Sequence, residues 1–173
     1  MKVCFIGHRQ IKITEDLRRR LRGLLLELIG EGTTEFLFGD HSQFDGLCYE
    51  IVTELRSEFP QLRRVKYRTH SPELSEYAKL FFLTGYEDSI CPAGVAAAGR
   101  AAYVERNRAM IRDSDVCVFF YSATYAPLRR KESEGSTAGH RPPSGTALAY
   151  NYALQTGKRV ENLYRVCAYF SRL

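Results

Sequence analysis

Three segments that follow strand-like runs combine glycines with side chains suited to binding an anion or a ribose. They are Gly7–Arg9, Gly39–Asp45 and Ser144–Thr146. A glycine lets a tight turn close without a Cβ clash, and the free N–H groups of a following helix attract phosphate or carboxylate. In open α/β sheets the strand ends meet at one edge, where ligands bind. The pattern predicts a pocket for a phosphate-bearing or ribose-bearing ligand at that edge.

Several candidate side chains also have a purely structural interpretation. His8 suits donation to an anion or packing at a strand end, and Ser144 suits phosphate binding or N-capping of its helix. Glu50 is the candidate acid or base, with a solvated helix glutamate as the alternative. Arg106 with Asn107 predicts a phosphate clamp or, alternatively, a surface arginine. The predicted ligand-binding residues are Gly7, His8, Arg9, Gly39, Phe44, Asp45, Arg106, Asn107, Ser144, Gly145 and Thr146.

The elements that position these residues follow from hydrophobic periodicity. Strand-like runs and helical patterns alternate with short connections, which predicts an α/β, Rossmann-like, doubly wound and mostly parallel sheet with helices on both faces. We expect about five strands in one domain spanning residues 1–173. A short helix is predicted at 72–81 within the irregular region 71–99, and a flexible surface loop or lid at 122–143. The predicted strands cover 2–6, 35–38, 63–67, 116–121 and 159–164.

Composition limits the classes of function. The 173 residues are 45% hydrophobic and 26% charged, and they contain no apolar run long enough to cross a membrane. Without a signal-peptide pattern at the N-terminus, we expect a cytoplasmic protein. Five scattered cysteines predict reduced thiols, and no H-x-x-x-H or nucleophile-elbow motif indicates a metal or serine-hydrolase site. No cofactor is predicted, and homo-oligomerisation is left open.

The net charge of +5 permits a nucleic-acid partner without implying one. Much of the basic excess lies in two clusters, Arg18–Arg22 and Arg129–Lys131. The first cluster occupies one face of a predicted helix. A solvated helix face is the simpler interpretation, and a patch that contacts a phosphate backbone is the alternative.

The order and spacing of several short motifs resemble a known family. The residues concerned are Cys4–Arg9, Phe38–Gly39, Phe44–Leu47, Glu50, Arg106–Arg108, Met110, Asp113–Asp115, Ser144–Thr146, Tyr150 and Ala153. This combination resembles the YpsA-like branch of the SLOG superfamily, over nearly the whole chain. That superfamily includes DprA-type DNA-processing proteins and LOG-type phosphoribohydrolases. The resemblance implies a Rossmann-like sheet whose glycine-bearing turns bind a nucleotide or a nucleotide-derived ligand.

Two departures from the family pattern narrow this expectation. The usual glycine-rich turn keeps only its first glycine, Gly39, and Asp40 would repel a nearby anion. The resemblance therefore favours Ser144–Thr146 as the phosphate site. LOG-type enzymes carry a glutamate three residues after the threonine of their Gly-Gly-x-Gly-Thr motif, whereas this chain has Ala149 there. Their activity is therefore not carried over.

Three functions follow as hypotheses. The first is a ligand-binding or sensor domain for a nucleotide or a ribose-phosphate derivative. The second is a nucleoside or nucleotide N-glycoside hydrolase that works through Glu50 or Asp45 with Arg106. The third is DprA-like binding of single-stranded DNA through the two basic clusters. Whether the chain is an enzyme is left open by the sequence.

Overall fold

The described residues form one sheet of six parallel strands. The computed structural model describes residues 1–39, 42–70, 75, 77, 80, 83–125 and 143–165. Along the sheet the strands follow the order β4-β3-β2-β1-β5-β6, and every neighbouring pair is parallel. The strands are β1 (Lys2–Gly7), β2 (Glu35–Phe38), β3 (Arg63–Tyr67), β4 (Asp88–Ile90), β5 (Val116–Phe120) and β6 (Arg159–Asn162).

Helices connect the strands and begin at capping residues. Thr14, Ser42 and Ser144 each accept a hydrogen bond from an N–H in the first turn of the helix that follows. This satisfies one of the donors that every helix start leaves free. The α-helices of the described residues are α1 (Glu15–Gly30), α2 (Gln43–Leu55), α3 (Ala102–Asp113) and α4 (Gly145–Gln155), and a 3₁₀ helix (Ala96–Ala101) precedes α3.

The core lies in two layers, one on each face of the sheet. Val3 and Phe5 of β1 pack with the leucine stripe of α1 and the apolar face of α2. Cys4 and Ile6, which alternate with them, pack with residues of α3 and α4 on the other face. Since all four side chains are at most 5% exposed, β1 is covered on both faces, as expected for the centre of a parallel sheet.

The predicted doubly wound α/β fold is confirmed, with one strand more than expected. The additional strand, β4, has only three residues, pairs with β3 alone and is partly exposed. The predicted helix at 72–81 and the predicted loop at 122–143 lie largely outside the described residues, and the single-domain assignment stays a prediction. Among the described residues, no helix has both the length and the apolar content needed to cross a membrane.

Gly7 allows a close approach between β1 and α2. A Cβ built on Gly7 would lie 2.5 Å from Phe44 Cβ and from Phe44 Cδ1. We expect Gly7→Ala to lower the free energy of unfolding by about 1–3 kcal/mol, because the packed core must move to admit the methyl group. Urea unfolding monitored by circular dichroism measures the change.

Gly46 provides the matched control for this substitution. It lies within α2, and a Cβ there would meet no atom within 4 Å. Gly46→Ala should therefore raise the free energy of unfolding by about 0.5–1 kcal/mol through helix propensity. Equal effects of the two substitutions would contradict the packing argument.

Candidate functional site

The strand order reverses between β1 and β5, and the carboxyl ends of these two strands are where a doubly wound fold forms its ligand crevice. From β1 the chain proceeds through β2 and β3 to β4 on one side, then returns to place β5 on the other side of β1. Ligands of open α/β folds bind at such a reversal of strand order. Gly7 pairs in register with Phe120, so His8 and Tyr121 follow the two strands at the same level.

The first turn of α4 is attached to the end of β1. Thr146 Oγ1 donates a hydrogen bond to the Gly7 carbonyl at 3.2 Å. Ser144 accepts from the Ala147 N–H through its hydroxyl and from the Leu148 N–H through its carbonyl. Within the described part of the chain, the N–H groups of Gly145 and Thr146 have no acceptor. They are therefore available to an anion, and the helix dipole adds a partial positive charge.

The first turn of α2 is occupied by the chain itself. The Gln43 N–H donates to the Arg9 carbonyl at 2.9 Å, and the Asp45 N–H donates to Ser42 Oγ at 3.0 Å. The Gln43 side chain also accepts from the Ile11 N–H at 2.8 Å. Since these contacts fasten α2 to the segment after β1, the geometry favours α4 over α2 as a phosphate site.

Arg106 connects α3 to the end of β2. Its guanidinium is buried, and Nη1 donates to the Gly39 carbonyl at 2.5 Å. Asn107 Oδ1 accepts from Arg106 Nη2 at 2.9 Å. A Cβ on Gly39 would lie 2.6 Å from Arg106 Nη2, so the glycine provides space for the guanidinium. The structure brings these three predicted residues together and places a buried positive charge near the edge.

His8 is packed at the strand end, which agrees with its structural interpretation. Its ring is 2% exposed, and Nε2 accepts from the Ser122 N–H at 2.9 Å. The Tyr125 ring stacks on it at 3.8 Å between centroids and 8° between planes. Burial lowers the pKa of His8, an effect that the nearby Ser122 carbonyl partly offsets.

The remaining predicted residues differ in their relation to the crevice. Phe44 is fully buried and packs against Phe120, so it contributes to the core at the end of β5 and does not face a ligand. Asp45 is 7% exposed in the first turn of α2, whereas Arg9 is exposed. Glu50 is solvent-exposed and bonds Arg18 of α1 at 2.8 Å. That position corresponds to the solvated-glutamate alternative and gives no support for an acid or base role.

Ion pairs neutralise the basic face of α1. Arg18 pairs with both Glu50 and Glu54, and Arg22 pairs with Glu58. Asp16 pairs with Arg19 and Arg20, which lowers the pKa of that carboxyl. This arrangement is the solvated face that the sequence offered as its simpler interpretation. The second cluster, Arg129–Lys131, lies outside the described residues.

Sequence reasoning missed the residues that complete the edge after β5. Tyr121, Ser122 and Tyr125 were assigned to the strand end and the following loop, yet all three contact His8. Their aromatic and hydroxyl-bearing composition was a weak indication of a packed turn. In the described ranges, no group of three or more His, Cys, Asp or Glu residues is arranged to hold a metal ion.

Solved structures show the same fold. DNA processing protein A (DprA) from Streptococcus pneumoniae superposes with a TM-score of 0.53 at 14% identity, over 92% of this chain and 48% of that one. For DprA from Helicobacter pylori, described as binding single-stranded DNA, the TM-score is 0.55 at 18% identity, over 97% of this chain and 67% of that one. The fold is similar to that of DprA proteins.

This similarity agrees with the DprA side of the family resemblance and does not distinguish the YpsA-like branch. The chain spans about half the length of the S. pneumoniae structure. No family model matches the sequence, and no curated protein matches it either. At these identities the comparison establishes the fold, and function has to be argued from the site.

The buried, neutral His8 predicts a specific pH dependence of stability. Its folded pKa lies below its ordinary value of about 6.5, so the unfolded chain takes up a proton first on acidification. The free energy of unfolding should therefore decrease as the pH falls below about 6.5, and His8 should have no such effect above it. Urea unfolding at pH 7.5 and pH 5.5 measures the loss.

His8→Gln is the control, because an amide oxygen can accept the Ser122 N–H without titrating in this range. All other titratable groups remain in the variant, so the difference between the two proteins isolates His8. The wild type should lose more stability than the variant. An equal loss would mean that His8 is not held neutral.

Proposed function

We propose that this chain is a nucleotide-binding domain whose crevice between β1 and β5 holds a nucleotide or a ribose-phosphate derivative. The observation that carries the proposal is the bond from Thr146 to the Gly7 carbonyl, which brings the first turn of α4 to the switch point of the sheet. The N–H groups of Gly145 and Thr146 have no acceptor in the described residues. They lie where doubly wound folds bind phosphate.

The surrounding charge supports an anionic ligand. Arg106 places a buried guanidinium at the end of β2, where it bonds the Gly39 carbonyl. Arg9 adds an exposed cation after β1. Asp45 is the described carboxylate nearest in sequence to the β2 turn and is suited to ribose hydroxyls. We assign Gly145 and Thr146 to the contact with the phosphate. The YpsA-like branch remains the expected family branch of this chain.

The N-glycoside hydrolase hypothesis is the weaker of the small-molecule alternatives. Glu50 is turned towards α1 and solvent, and Ala149 stands where LOG-type enzymes carry a glutamate. Binding without a reaction therefore fits the described residues better than catalysis.

Substituting Gly145 separates phosphate binding from folding. Gly145→Asp should weaken binding of a nucleoside monophosphate by at least about tenfold, because the new carboxylate repels the phosphate. The helix itself should be unharmed, because an acidic residue suits a helix N-terminus and a Cβ there meets no atom within 4 Å. Calorimetry with a panel of nucleoside monophosphates and ribose 5-phosphate measures the affinities.

Gly145→Asn is the matched control, since it has nearly the same shape without the charge. It should retain affinity within a few-fold of the wild type. If no member of the panel binds or raises the melting temperature of the wild type, the proposed function is wrong.

The second candidate function is binding of single-stranded DNA. It is favoured by the shared fold with the H. pylori DprA, which is described as binding single-stranded DNA. The paired arginines of α1 are poor candidates for that interface, because each one already contacts a carboxylate. The same crevice is then the better position for the phosphate backbone.

A labelled oligonucleotide distinguishes these surfaces. If the crevice binds DNA, the logarithm of the affinity should fall linearly with the logarithm of the salt concentration. Gly145→Asp should weaken binding, and the double variant Arg18→Gln with Arg22→Gln should leave it nearly unchanged. Fluorescence anisotropy at salt concentrations from about 50 to 300 mM measures both effects, because counterion release changes the affinity over this range. Affinity that is independent of salt would exclude this electrostatic mode.

A further inference from the structure

Four rings form a continuous row across the end of β5 and β1. Tyr150 of α4 stacks on Tyr121 at 4.6 Å between centroids. Tyr121 meets His8 at 5.7 Å, and His8 stacks on Tyr125 at 3.8 Å with planes 8° apart. We call these four residues the edge aromatic row. It runs from α4 to the crevice between the two strands.

Tyr125 ends this row and differs from the tyrosines of the core. Tyr49 and Tyr67 are fixed by short hydrogen bonds from their hydroxyls, to the Gly85 carbonyl and to Asp113, both at 2.7 Å. Among the described residues, the Tyr125 hydroxyl makes one long contact, as it accepts from the Gln10 N–H at 3.4 Å. Its ring is partly exposed and has one ring neighbour on a parallel face, His8. The opposite face meets no other ring of the described residues.

The aromatic row and the first turn of α4 meet the same strand end. Thr146 bonds the carbonyl of Gly7, and Tyr125 stacks on the next residue, His8. Gly7 and His8 are consecutive, so the two contacts are made to neighbouring residues at the end of β1. A nucleotide joins a phosphate and a base through one ribose.

We propose that Tyr125 is a nucleobase platform, with the base stacking on the ring face opposite His8. This inference rests on the proposed function and narrows it, because it assigns the ligand a base in addition to a phosphate and a ribose. Every nucleobase has a π face, so an aromatic platform accepts different bases. The neutral state of His8 suits this arrangement, because an uncharged ring can remain buried beneath Tyr125.

The remaining rings give the platform its rigidity. Tyr121 lies between Tyr150 and His8, and the Ser122 N–H holds His8 through Nε2. The Ser122 carbonyl accepts from the Tyr125 N–H at 3.3 Å, which closes the turn that carries the platform. A preformed platform loses little conformational entropy when a base stacks on it.

Comparison of a nucleoside monophosphate with ribose 5-phosphate tests the platform. The wild type should bind the nucleotide about tenfold or more tightly than the sugar phosphate, because only the nucleotide stacks. Tyr125→Leu should reduce nucleotide affinity to that of ribose 5-phosphate and leave ribose 5-phosphate unchanged. Tyr125→Phe should restore nucleotide binding, since stacking needs the ring and not the hydroxyl. Calorimetry measures all three affinities.

Tyr152→Leu is the matched control, because Tyr152 lies on α4 and contacts Arg108 instead of the aromatic row. It should bind the nucleotide like the wild type.

A short thymidine oligonucleotide in the same assay identifies the source of the base. Tyr125-dependent binding of the oligonucleotide alone assigns the base to a strand, and Tyr125-dependent binding of the monophosphate assigns it to a free nucleotide.

The outcomes distinguish a failure of base stacking on Tyr125 from a failure of the proposed nucleotide-binding function. Equal wild-type affinities for nucleotide and ribose 5-phosphate would overturn the platform and leave the phosphate site standing. An unchanged nucleotide affinity in Tyr125→Leu would do the same. If neither monophosphate, sugar phosphate nor oligonucleotide binds, the proposed function and the platform both fail.

Discussion

The close packing at Gly7 is the constraint on which the rest of this edge depends. On one face of the sheet, Phe44 of α2 lies where a Cβ of Gly7 would be. On the other face, Thr146 of α4 bonds the Gly7 carbonyl. A helix from each layer therefore contacts the sheet at Gly7, which has no side chain. Protein interiors are packed too closely to absorb a displacement there, so the starts of α2 and α4 hold fixed positions relative to β1.

Positive charge is arranged differently at the edge and on the helical surface. On α1, partly exposed arginines pair with carboxylates, and such surface pairs contribute little to stability. At the edge, Arg106 is buried and directs a donor at the Gly39 carbonyl. The first turn of α4 is held at the Gly7 carbonyl and carries partial positive charge at its N–H groups. Both groups therefore have fixed positions at the end of a strand.

The DprA structures show what this fold accommodates without assigning a function to the chain. A similar overall fold recurs at sequence identities of 14% and 18%. Doubly wound folds support many functions, because the ligand contacts come from the segments after the strands, which vary while the sheet is retained. Here those segments carry a capped helix start, the carbonyl that Arg106 contacts and a row of aromatic rings.

The sequence by itself determined the fold class and most of its elements. Leucines at helical spacing predicted α1, and the apolar runs predicted β1, β2 and β5, because amphipathic periodicity and burial are local properties of the chain. Thr14, Ser42 and Ser144 all cap helices, and their residue types favoured that role. The sequence also predicted that three glycine-bearing strand ends lie at one edge of the sheet, whereas the order of the strands came only from the structure. Strand β4 was missed, because its three residues are defined by pairing with β3 and show no apolar alternation.

Only the tertiary structure decided which candidate residues meet. Glu50 and Arg106 are both charged residues in helical patterns, yet one faces α1 and the other is buried against Gly39. The rotation of each helix about its axis is set by its whole apolar face, so a single polar position does not predict it. The edge aromatic row joins His8 to Tyr125, which lie 117 positions apart in the sequence, numbered 8 and 125. Such a contact exists only because β1 and β5 are neighbours in the sheet.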